Sequence, residues 1–150
     1  MTKEEKHIEQ LIQTSGIVVE KFVDYYSGVS FTPERVETIT LGVANKPIKI
    51  LIILYHELGH FKFLKNKIVR KIVYFIVSHN RYRLGCNYNK EPFLSFLYTF
   101  LTCFWELLAW RDAKKELQKT EFWNFEMKKT FFEYRKECLR SYWDNENTNR

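Results

Sequence analysis

The chain has 150 residues, of which 45% are hydrophobic and 17% aromatic, enough for a real core, and no Gly/Ser/Pro-rich linker divides it. The longest charge-free stretch, 92–105, falls short of the ~20 apolar residues that span a bilayer, as does 72–80, which excludes a transmembrane helix on length. Three scattered cysteines (Cys86, Cys103, Cys138) show no metal-ligand spacing, and the start MTKEEKHIEQ is charged, unlike a secretory apolar segment. A cytoplasmic location follows as the expectation.

In chain order, Thr2-x-x-Glu5 reads as a capping box. Ile8, Leu11 and Ile12 give the first helix one apolar stripe, and Gly16 ends it. GIVVEKFV, 16–23, reads as a strand, followed by a loop through Ser27, Gly28 and Pro33. RVETITL, 35–41, alternates polar and apolar residues and reads as a half-buried strand. Asn45-Lys46-Pro47 is a helix start signal, with the helix expected over 46–64. Residues 67–77 carry Ile68, Val69, Ile72, Val73 and Ile76 on one helical face, and 79–91 read as a polar loop. Pro92 opens a long helix to about residue 118. Thr120 then reads as the cap of a last helix striped by Met127, Phe131, Tyr134, Cys138 and Tyr142. The expectation is one α+β domain over 1–143, with two or three N-terminal strands and about five helices, and a disordered tail over 144–150.

The helix over 46–64 contains His56-Glu57-Leu58-Gly59-His60, the pattern H-E-x-x-H. Residues four apart lie on one helical face, so both imidazoles can reach one metal ion. Zinc takes imidazole nitrogen readily, and its catalytic sites usually have three protein ligands. Glu57 projects beside the metal, where a general base for the metal-activated water belongs. Residues 48–54 are nearly continuous apolar sequence, so the motif helix is expected to be buried. Burying two imidazoles and a carboxylate is costly unless they are paired or coordinated. Gly59 costs about 1 kcal/mol against alanine within a helix, and close approach of another helix would account for it.

The candidates for the third ligand are Glu106, Asp112 and His79. At 100° per residue, Glu106, Ala109, Trp110 and Ala113 share one face, and Asp112 points about 120° away. Small residues on the glutamate's face allow a close helix contact, which favours Glu106. H-E-L-G-H followed 46 residues later by E-x-x-A-x-x-x-A resembles the glutamate-type zincins, above all the ImmA/IrrE-like metallopeptidases with their E-x-x-A-N-x-F-A helix. The resemblance covers about 36–113. It implies one zinc per chain held by His56, His60 and Glu106, with Glu57 as base and a protein or peptide as substrate. Trp110 stands where those families often have Asn or Asp. The strand 35–41 resembles the zincin edge strand, which aligns an extended substrate by β-addition. A rival resemblance is to the SprT-like proteases, whose third ligand is a histidine some 15 to 20 residues after the motif; His79 lies 19 residues after His60. Otherwise His79, with Tyr82 or Tyr88, could donate to an oxyanion. A non-catalytic zinc-containing binding module is the alternative of another class.

Net charge is +6, and residues 61–90 hold eight Lys/Arg and no Asp/Glu. The ordinary reading is a solvated face; the functional one is a patch for an acidic partner, nucleic acid or an anionic membrane surface, the last making the protein peripheral to a membrane.

Overall fold

A computed structural model describes residues 1–23, 27–85 and 92–147; within these, the side chains of 22, 79–85, 92–95, 98 and 142–147 lie outside the description. The element order is α1 (Lys3–Ser15), β1 (Val18–Phe22), β2 (Gly28–Phe31), β3 (Val36–Gly42), α2 (Pro47–Leu64), α3 (Lys67–Gly85), α4 (Pro92–Leu117) and α5 (Phe125–Asn147). This is the α+β architecture expected, with three strands and five helices among the described residues.

Local signals set most boundaries. Thr2 and Glu5 form a full capping box, with Glu5 N donating to Thr2 Oγ1 at 3.2 Å and Thr2 N to Glu5 Oε2 at 2.7 Å. Gly16 ends α1 at φ 66°, where a side chain would be strained. Pro47 opens α2 at a position where its missing N–H costs nothing. Asn66 caps α3, accepting from Ile68 N at 2.9 Å and Val69 N at 3.2 Å.

Four boundaries differ from the sequence reading. Residues 28–31 form a strand rather than loop, because GVSF gains its ladder by pairing with β3, Gly28 opposite Thr40. α3 runs on to Gly85, eight residues past the 67–77 segment that carries its apolar stripe, so 79–85 are helical rather than loop. Asn124, not Thr120, caps α5, its Oδ1 accepting from Met127 N at 2.9 Å. Phe122 is buried against His7, with ring centroids 5.0 Å apart, which holds 120–123 out of the helix. α5 also continues to Asn147, into the segment expected to be unstructured.

The sheet order is β1-β3-β2, with β1 parallel and β2 antiparallel to β3. β3 is therefore central and hydrogen-bonded on both sides. It cannot be the edge strand the sequence suggested; the antiparallel edge is β2. Ile39 and Leu41 of β3 are buried, in register with the period-2 pattern of the strand.

α2 is the hub. It buries residues all round its circumference, from Ile50 to His60 with Leu58 half-exposed, as a helix apolar on every side must. Sheet, α1, α3, α4 and α5 all pack against it. From α1, His7 Nε2 meets the Tyr55 hydroxyl at 3.0 Å. Arg70 of α3 is buried and donates to the carbonyls of Leu64 (2.7 Å), Glu34 (2.6 Å) and Pro33 (3.2 Å), tying α3 to the end of α2 and to the β2–β3 turn. Arg70 is thus a structural cation, and the basic run is less of an open patch than its sequence suggests.

α4 crosses α2 at Gly59. A Cβ built there would stand 2.9 Å from the Ala109 carbonyl oxygen and 3.2 Å from Ala109 Cα. Gly59→Ala should therefore destabilise by about 1–3 kcal/mol, because backbone must shift and that outweighs the helix propensity gained. Urea denaturation reads this directly; an unchanged or raised midpoint would show that the contact is not tight.

Candidate metal centre

The α2–α4 crossing places three ligand-type side chains around one point. His56 and His60 lie one turn apart on α2, and Glu106 enters from the α4 face that carries Ala109 and Ala113. His56 Nε2 and His60 Nε2 are 3.1 Å apart. Glu106 Oε2 is 3.1 Å from His56 Nε2, and its Oε1 is 3.3 Å from His60 Nε2. All three residues are buried. Among the described residues, these are the group whose donor atoms lie within 4.8 Å of one another.

These distances suit a metal. Ligand atoms about 2.0–2.1 Å from a tetrahedral zinc stand roughly 3.3–3.4 Å apart. Both histidines aim Nε2 at the shared point, and two unprotonated nitrogens 3.1 Å apart repel unless a cation or proton lies between them. The donor set fits zinc, with two imidazoles and one carboxylate.

The electrostatics agree with a site built for positive charge. Burial alone would raise the Glu106 pKa, but His60 and His56 outweigh it and hold the carboxyl well below the usual carboxylate range. Burial alone would lower His60, but Glu106 reverses this and holds the imidazole above its ordinary value. Glu57, one residue from the first histidine, is buried as well. Burial pushes its pKa up, Glu106 adds to this, and His56 and His60 only partly offset it. Glu57 is near enough to feel these groups yet is not a member of the converging set.

The histidine rings are held in an unexpected way. Metal-ligating histidines usually donate the second ring N–H to a carboxylate or carbonyl. Here Nδ1 of both His56 and His60 is buried with no hydrogen-bond partner among the described residues. Tryptophans hold the rings instead. Trp110 stacks on His56 (centroids 4.0 Å, interplanar 24°), and Trp105 stacks on His60 (5.2 Å, 25°). Trp110 is itself wedged edge-on between Phe131 and Tyr134 of α5. Sequence reasoning flagged Trp110 only as a departure from Asn or Asp and missed Trp105. The available signal was their spacing, one residue before Glu106 and four after it.

Trp105→Leu should accordingly weaken zinc binding by about 10–100-fold, the usual effect of losing a group that orients a ligand. Trp105 is half-buried, so the fold should survive. Competition with a fluorescent chelator would measure the loss, and unchanged affinity would leave the stack without a role in metal binding.

Of the other candidates, Asp112 is paired with Lys62 at 3.0 Å and stands apart from the centre. His79 and Tyr82 lie on α3, but their side chains fall outside the described residues, and Tyr88 lies outside them altogether. Burial pushes the half-buried Cys138 thiol up to about 11, with nearby carboxylates adding, so it is a poor nucleophile. No helix among the described residues is long and apolar enough to cross a membrane. No protein-family model, curated protein or solved structure matches the chain.

Proposed function

We propose that the chain is a zinc-dependent peptidase of the glutamate-ligand zincin type, similar in plan to the ImmA/IrrE-like enzymes. The observation that carries this reading is the buried convergence of His56, His60 and Glu106 with Glu57 beside it. A purely structural site needs the three ligands but has no use for a second buried acid beside them. Zinc held there would polarise a peptide carbonyl and make water a better acid. Glu57 accepts the proton from the attacking water and returns it to the leaving amine. Its burial, which raises its proton affinity, suits a group that must hold a proton between the two transfers.

Substrate alignment falls to β2 rather than β3. β2 is the sheet's antiparallel edge, and a groove between it and α3 is lined by Val29, Phe31, Tyr74 and Val77. An extended peptide adds to such an edge through main-chain hydrogen bonds. The test is hydrolysis of a denatured protein or a peptide library by the zinc-loaded chain. Cleavage that stops with chelator and returns with zinc supports the reading. Zinc binding without cleavage of any substrate would leave a binding module instead.

A further inference from the structure

α4 presents two distinct faces. One buries Glu106, Ala109, Trp110 and Ala113 against the core. The other exposes Phe96, Phe100, Phe104 and Leu107, a stripe about 80° wide, centred about 125° round the helix from the buried face and about 16 Å long. Phe96, Phe100 and Phe104 are 55%, 50% and 52% exposed, and the first two stack on each other in solvent. α3, which packs against α4, repeats the pattern on a smaller scale. Ile68, Ile72 and Phe75 are exposed at helical spacing, with exposed Lys67 and Lys71 alongside. A contiguous row of exposed large apolar side chains is rare on a monomeric protein and marks a surface that meets something apolar.

The charges beside the stripe say what that partner is. Arg111 and Lys115 are exposed and continue the α4 stripe toward its C-terminus. Asp112, next to Arg111, is already paired with Lys62. The exposed charges of α3 over 67–78 are lysines, with no acid between 61 and 90. Phenylalanine and leucine flanked by lysine and arginine is the chemistry that lies in the interface of an anionic bilayer, with rings among the acyl chains and cations at the headgroups. A second copy of the chain fits poorly, because docking on this face would bring two bodies of net charge +6 together. We propose that the exposed stripe of α4, with the lysine-flanked stripe of α3, is a docking surface for an anionic lipid bilayer. The helices lie on the membrane and do not cross it. This inference is independent of the peptidase reading, since none of its residues belongs to the metal centre.

Vesicle flotation tests it. The 150-residue, zinc-loaded chain should float with vesicles of equal parts phosphatidylcholine and phosphatidylserine and not with phosphatidylcholine alone. High salt should weaken the binding, because the Debye length shrinks. The double variant Phe96→Ser/Phe100→Ser should lower the partition coefficient more than about tenfold while keeping zinc content and circular dichroism. Lys67→Glu/Lys71→Glu should lower it too, and more at low salt than at high. Absence of wild-type binding to the anionic vesicles would overturn the proposal. So would binding that the phenylalanine variant leaves intact, or a wild-type dimer in solution that the same variant converts to monomer.

Discussion

Glu57→Gln is expected to lower peptide hydrolysis by about 10²–10⁴-fold, the usual contribution of a positioned general base. Zinc content should not change, because Glu57 is outside the set formed by His56, His60 and Glu106. Stability should hold or rise. The glutamate is buried and burial penalises its ionised form, so an isosteric neutral amide removes a cost rather than a contact. The pairing of outcomes matters. Loss of activity with loss of zinc would make Glu57 structural, and full activity in the variant would defeat the peptidase assignment.

The second large effect concerns the third ligand. Glu106→Gln should weaken zinc binding by more than the ~10–100-fold typical of outer-shell groups, because it removes the anionic ligand itself. It also leaves His56 and His60 facing each other at 3.1 Å without the carboxylate that balances them. His79→Ala should leave zinc affinity unchanged. Zinc titration of both variants checks the pair. The opposite ranking would place His79 in the third position, as in the SprT-like arrangement.

Much of this centre was legible because its ingredients are local. The i, i+4 histidines declare themselves on any helix, and Pro47 and the apolar run after it declare the helix. Glu106 was found by asking which carboxylate shares a face with small residues, and the Gly59–Ala109 contact supports that logic. What stayed hidden depends on distances between elements. Nothing in the spacing of Trp105 and Trp110 says that their rings lie flat on two histidines of another helix. β2 was missed because Gly28 and Ser30 are poor strand formers and the ladder with β3 makes the strand. The same pairing moved β3 from the edge to the centre, since strand order is a property of the assembled sheet. Thr120 and Asn124 are both competent caps, and the burial of Phe122 decides between them. The basic run read as a patch because a sequence shows charges but not partners; Arg70 spends its guanidinium on three carbonyls, and Lys62 on Asp112.

The proposed peptidase centre requires one metal ion where α2 and α4 cross. Anomalous diffraction from crystals of protein purified without chelator, measured on both sides of the zinc edge, tests it most directly. The arrangement of donors predicts a single zinc-specific peak per chain, within bonding distance of His56 Nε2, His60 Nε2 and the Glu106 carboxylate. A map with no peak at that crossing after zinc has been supplied, or with a peak ligated by His79 in place of Glu106, would contradict it.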